Sequence, residues 1–224
     1  MMNGNVPEKM TAGHPSCPKA LSEIQHQMKM CSKDTPISLI FPPVTPEFER
    51  DLESILQEAE AFADVEMTAN DWGTLSRTCK WKKERYPGAR IIMGILLNTQ
   101  ESDPVIRLFT EPQADRTVMI GPKAVLMQWS PPAETLIRHW EEPSGFHMTA
   151  LLRSMGVDEM ETGLQPLKID HETDHLPVRP VPYGVLTVRP CRGDCGKCSG
   201  KELLRAGIPV YFDRNLAVYR EAII

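Results

Sequence analysis

The sequence predicts an α/β protein in which a mixed β-sheet is covered by helices. Three observations carry that expectation. Segments with helical apolar spacing alternate along the chain with short apolar runs of strand character. Apolar residues make up 41% and charged residues 25% of the 224 residues, a globular balance in a chain long enough to bury a core. Twenty prolines, against an ordinary share of about 5%, call for many loops and short elements and exclude a long helical bundle.

Residues 1–44 read as a loosely ordered, proline-rich leader, with Pro7, Pro15, Pro18, Pro36, Pro42 and Pro43 and one short helix over 19–31. A single α/β domain is expected over 45–224. Its first helix spans 46–65. Thr45 stands at the cap, Pro46 suits the first turn, and Phe48, Leu52, Ile55, Leu56, Ala59 and Phe62 recur on one face. Residues 90–97 form a buried-strand run between Tyr86-Pro87-Gly88 and a polar stretch, and residues 105–110 follow closely enough to pair with them. A third strand is expected over 123–129, helices over 133–142 and 146–155, and a proline-spaced loop over 164–182. The remainder reads as a strand (183–189), a cysteine-bearing loop, a helix (200–206) ended by Gly207, a strand (209–212) and a last helix (215–222).

A net charge of −5 and a pI near 5.7 exclude a non-specific nucleic-acid binder, which needs a basic surface. The one basic patch is Lys80, Lys82, Lys83 and Arg85, which reads as a solvated helix face or as a contact for phosphate or RNA. The longest apolar run, 91–97, is far short of a membrane span, and the first ten residues are polar. A cytoplasmic, reducing location follows as the expectation, so the six cysteines are expected as thiols or metal ligands rather than disulfides.

Three of those cysteines fall together in Cys191-Arg192-Gly193-Asp194-Cys195-Gly196-Lys197-Cys198. Two thiolates three residues apart on a glycine-containing turn can face one ion, and such a pair is half of a tetrahedral zinc site. Arg192, Lys197 and Lys201 favour the thiolate form. The same spacing also fits an iron–sulfur cluster, although the downstream barrel of a radical enzyme has no room in residues 199–224.

The order strand, Cys195-x2-Cys198 turn, helix, Ala206-Gly207-Ile208 and strand resembles the C-terminal half of the cytidine/deoxycytidylate deaminase superfamily. The resemblance implies a deaminase-like three-layer sandwich and a zinc ion. It also implies a histidine ligand at a helix start, with a carboxylate two residues further on that moves a proton between water and the departing amine. His147 has the ligand's position before the 146–155 helix, but Thr149 stands where the carboxylate is expected. Glu141 or Glu142, on the preceding turn, would then supply it. The only literal His-x-Glu, His139-Trp140-Glu141, closes a helix instead of opening one, and His171 and His175 are alternative fourth ligands.

Asp158 and Glu161 make a second acidic pair, which would share a face on a helical turn and grip a substrate cation. The expected function is a zinc-dependent, deaminase-like hydrolase acting on a nucleobase, nucleotide or related amino-heterocycle. Two alternatives stay open at this point. One is a small biosynthetic transferase joining aminoacyl or nucleotide-derived groups, and the other is a non-catalytic, zinc-stabilised interaction protein.

Overall fold

A computed structural model describes residues 9–97, 116–120, 123–127, 146–163, 176–188, 203–205, 208–214 and 216–219. The fold class is α/β. Strands β1 (Met10–Gly13), β2 (Ile37–Phe41), β3 (Val65–Ala69), β4 (Arg90–Met93), β7 (Glu159–Thr162) and β8 (Val178–Pro180) form one six-stranded sheet in that order. Every pair in it is parallel. The antiparallel pairs lie in two smaller sheets. One pairs β5 (Arg116–Ile120) with β6 (Lys123–Met127). The other has the order β10 (Leu203–Arg205), β11 (Ile208–Asp213), β12 (Leu216–Tyr219), β9 (Gly184–Val188).

The first four strands are joined by α1 (Ala20–Met30), α2 (Glu49–Ala59) and α3 (Trp72–Glu84), and α4 (Phe146–Met155) leads into β7. The sequence dictates each helix locally. In α1 the buried positions are Ala20, Leu21, Ile24 and Met28, and in α2 they are Leu52, Ile55, Leu56 and Ala59, both at helical spacing. Asp71 caps α3 by accepting from the Thr74 amide at 2.9 Å, and Lys82 and Lys83 sit in its last turn, where the helix dipole favours cations. Among the described residues all four helices pack into one cluster with Ala12, Ile37, Leu39, Phe41, Val65, Met67, Ala69, Ile91, Met93 and Met160. Strand residues alternate in direction, so these positions are one face of the sheet.

The opposite face carries a cluster of charged side chains. Ser38, Glu66 and Arg90 stand in register, as do Ile92 with Glu159 and Glu161 with Arg179. Arg179 donates to both Glu66 oxygens, at 2.7 and 2.8 Å, and to Glu159 at 2.6 Å. Ser38 donates to Glu66 at 2.9 Å, Lys9 pairs with it at 2.9 Å, and Arg90 reaches Glu159 at 2.9 Å. On a flat sheet β8 and β3 would stand three strand spacings apart, roughly 14 Å, with side chains perpendicular to the plane. The Arg179–Glu66 contact therefore reaches across β4 and β7 and ties β8 to β3 on the face opposite the helices.

Several expectations are corrected. The 1–44 segment is no loose leader over its described part: β1, α1 and β2 belong to the sheet and its core, and Leu21, Ile24, Met28, Ile37, Leu39 and Phe41 are fully buried. Its prolines occupy the connections, Pro15 and Pro18 between β1 and α1, Pro42 and Pro43 after β2. The 46–65 helix is shorter. A 3-10 turn (Pro46–Phe48) leads into α2, and Val65 already opens β3. The helices expected over 200–206 and 215–222 are strands where described, because Leu203 pairs with Val210 and Leu216 with both Asp213 and Val188. The expected strand at 105–110 and helix at 133–142 lie outside the described residues. The helix over 146–155 coincides with α4. No described helix is long and apolar enough to cross a membrane.

Candidate active site at the carboxyl edge of the parallel sheet

In parallel α/β sheets ligands bind beyond the carboxyl ends of the strands, where the loops and helix N-termini gather. Here that edge is stitched by side chains. Gly13 ends β1 with φ +108°, and a β-carbon there would lie 2.0 Å from the Ile40 carbonyl oxygen, so only glycine fits. Asn70, just after β3, donates to the Phe41 carbonyl at 3.0 Å and accepts from the Leu96 amide at 3.2 Å. Glu161, on β7, accepts from the neighbouring Ile95 amide at 3.1 Å. The turn after β4 is thus held from one side by β3 and from the other by β7.

Glu161 is buried on the polar face. Burial pushes its carboxyl up to about 7, against the lowering pull of the Ile95 amide and of Arg179, while Glu66 and Glu159 add to the rise. A carboxyl that changes charge near neutrality can both take and give a proton.

His14 follows β1 and is buried. Its Nδ1 accepts from the Ser16 amide at 3.2 Å, with the Ser16 hydroxyl 3.3 Å away. Its Nε2 lies 3.4 Å from Asp213 Oδ1 without a hydrogen bond. Burial lowers the imidazole below its ordinary value, against the raising pull of Asp213. Asp213 and Arg214 form the turn between β11 and β12, and Arg214 donates to Glu23 of α1 at 2.7 Å. The four-stranded sheet is thereby docked on the β1–α1 connection.

The metal ligands Cys191, Cys195 and Cys198 expected from the sequence, and the candidate bases Glu141 and Glu142, lie outside the described residues, as do His139, His171 and His175. The strands flanking the cysteine segment are described. β9 ends at Val188, opposite Leu216, and β10 begins at Leu203, opposite Val210 and running away from the Asp213 turn. Val188 and Leu203 both lie toward the end of that sheet that carries Asp213. His147 is the second residue of α4. The C-terminal turn of α4 lies against the end of α3, where Lys82 and Lys83 bind the Gly156 and Ser154 carbonyls. The start of α4 is consequently at the carboxyl edge. Among the described residues no three His, Cys, Asp or Glu side chains converge as a metal site.

The Asp158–Glu161 pair is corrected in its geometry. These residues are extended, not helical, since β7 pairs with both β4 and β8. Asp158 is occupied by Lys82, at 2.7 Å to each oxygen, and by the Ile91 amide at 2.7 Å. Glu161 alone points to the inner face. The Lys80, Lys82, Lys83, Arg85 patch is an exposed helix face apart from half-buried Lys82, and its cations are paired within the fold. Lys82 binds Asp158, Lys83 binds the Ser154 carbonyl, Arg85 meets Glu60 at 2.9 Å, and Lys80 lies 4.0 Å from Glu84. Sequence reasoning missed His14 and Asn70. The signal for them was position: each follows a strand whose own pattern went unread.

No protein-family model, no curated protein and no solved structure matches this chain.

Proposed function

We propose that the protein is an enzyme, a zinc-dependent hydrolase of the deaminase-like kind, acting on a small amino-heterocycle at the carboxyl edge of the parallel sheet. The observation that carries this reading is Glu161, a buried carboxyl raised to about 7 and fixed beside the Ile95–Leu96 turn. It takes the part expected of Glu141 or Glu142. The strand at 203–205, where the resemblance implies helix, moves the weight of the reading from the likeness to the site.

Cys191, Cys195 and Cys198 are the donors proposed for the zinc ion, with His147 as the nitrogen donor, and their thiolate-rich chemistry suits that metal. When bound, zinc supplies Lewis-acid polarisation of the substrate. The chain's own groups do the rest. Glu161 moves a proton toward the departing amine, and the bonds to the Ile95 and Leu96 amides hold the surrounding turn in place.

The purified protein is assayed for ammonia release from cytosine, adenine and guanine compounds, with metal content measured in parallel. Glu161→Gln should lower the rate by about 10²–10⁴-fold, the usual worth of a positioned acid–base group, with metal content unchanged. Cys198→Ala should lose the metal. Full activity in Glu161→Gln, or no ammonia from any compound, refutes the proposal.

A further inference from the structure

The turn Asp213-Arg214 seats the four-stranded sheet on the β1–α1 connection, and its backbone is strained. Arg214 has φ +52°, a left-handed conformation that a long side chain seldom adopts. Groups outside the hairpin hold it there. The guanidinium donates to Glu23 of α1 at 2.7 Å and bonds the Cys17 sulfur of the connection.

Against the same turn lies His14, its side chain 7% exposed. The hydrogen bonds fix where its proton sits. The Ser16 amide can only donate, and it donates to Nδ1 at 3.2 Å. Nδ1 therefore presents a lone pair, and the proton of the neutral ring is on Nε2. Nε2 faces Asp213 Oδ1 at 3.4 Å without bonding it. A second proton has to enter at Nδ1. The ring N–H then points at the Ser16 N–H, donor against donor, and the amide loses this acceptor. The Ser16 hydroxyl, 3.3 Å from Nδ1, can accept the new proton, but that does not restore the amide's bond.

The charged groups around the ring pull in both directions. Among the described residues, Asp213 and Glu23 favour the imidazolium, while Arg214 opposes it. Burial opposes it most, and the balance lies with the neutral ring.

We infer that the contact between His14 and the Asp213-Arg214 turn is a proton-sensitive latch: the neutral ring seats the four-stranded sheet on the β1–α1 connection, and protonation at Nδ1 loosens that seat. The direction with pH is fixed. Above the ordinary imidazole value of 6.5 the ring is neutral whether seated or free, and pH has no effect through it. Below that value the free ring takes the proton more readily than the seated one, so the seat weakens as pH falls. The latch concerns how one sheet is held on the other and does not depend on the proposed hydrolase activity.

The test is hydrogen–deuterium exchange of the full chain at pH 8 and pH 5, with labelling times scaled for the intrinsic rate. Peptides from residues 14–24 and 208–219 report on the seat, and peptides from 65–93 serve as reference. Wild type should lose protection in both reporting regions by about 2–10-fold at pH 5 relative to the reference, the worth of one net hydrogen bond. His14→Asn keeps an acceptor near the Nδ1 position and does not titrate, so its protection should stay level. Level protection in wild type, or an equal loss in His14→Asn, overturns the inference. Nitrogen-15 NMR of the wild-type imidazole, identified by its contact with the Ser16 amide, needs no variant. At pH 8 the proton should be on Nε2, and the titration midpoint should lie below 6.5. A proton on Nδ1 at pH 8, or a midpoint at or above 6.5, overturns it equally.

Discussion

Replacing Arg179 by methionine tests whether the charged face holds the sheet together across β3, β7 and β8. Glu66 is 3% exposed, and Arg179, 30% exposed, is its closest cation. Burial alone would raise the Glu66 carboxyl. The bonds from Arg179, Lys9 and Ser38 outweigh burial and bring it down from 4.5 to about 2. At 1.36 kcal/mol per pK unit that shift corresponds to about 3 kcal/mol of stability from all partners together. Breaking a buried pair by removing one member costs about 3–5 kcal/mol. Lys9 stays at 2.9 Å and Arg90 at 3.6 Å, so the remaining cations keep the cost below that span, and Arg179→Met should cost about 2–3 kcal/mol at pH 7. For a chain of this size the melting temperature should drop by roughly 5–10 °C. The sign with pH is fixed. A lowered carboxyl stabilises the fold above its unfolded value of 4.5, and the contribution is lost as pH falls toward 2. Chemical denaturation at several pH values should therefore show the variant and wild type converging below about pH 4. The double variant Glu66→Gln with Arg179→Met should be destabilised by at least about 1 kcal/mol less than the sum of the single changes. Additive costs, or a loss below about 0.5 kcal/mol at pH 7, would refute the idea that this contact holds the sheet together.

Glu161→Gln should be more stable than wild type by about 2–3 kcal/mol above pH 7 and equal to it below pH 4.5. The reason is that a raised carboxyl costs stability progressively as pH climbs from 4.5 to about 7; denaturation midpoints across that window check it. Deleting residues 1–44 should abolish folding, seen as loss of the circular-dichroism transition, because β1, α1 and β2 leave with it and β3 loses its neighbour. Gly13→Ala should cost at least about 2 kcal/mol in unfolding experiments, since it combines a positive φ with a clash against the Ile40 carbonyl.

Helices with a clear apolar stripe were legible. Leu21, Ile24 and Met28 in α1 and Leu52, Ile55 and Ala59 in α2 mark their own buried faces. β3 was not, because Glu66 and Thr68 put polar side chains in a strand that is buried along its whole length. Partners such as Arg179, Lys9 and Ser38, up to 113 positions away, make the burial of Glu66 tolerable. The prolines of residues 15–43 suggested disorder because proline density does not distinguish a loose leader from tight strand-to-helix connections. At the C-terminus the expected helices followed from local sequence pattern and from Gly207 as a helix end, whereas the pairing of β10 with β11 and of β12 with β9 decided the outcome. For the site, Glu161 was singled out by its charge, but a two-residue strand period, not a helical turn, sets where it points.

The grip of Arg179 on Glu66 also bears on the order in which the molecule assembles. The first four strands are neighbours in both sequence and space, so a ribosome that has released residues 9–97 has delivered a run of β/α units able to pair as they emerge. The Glu66 carboxylate enters that partial sheet without its strongest partner, which arrives only with β8, and the turn at Arg214 that ties down α1 arrives later still. Nascent-chain lengths ending before residue 179 should therefore resist unfolding less than longer ones, and a force or protease measurement on stalled chains should find a step in resistance once that arginine has cleared the exit tunnel.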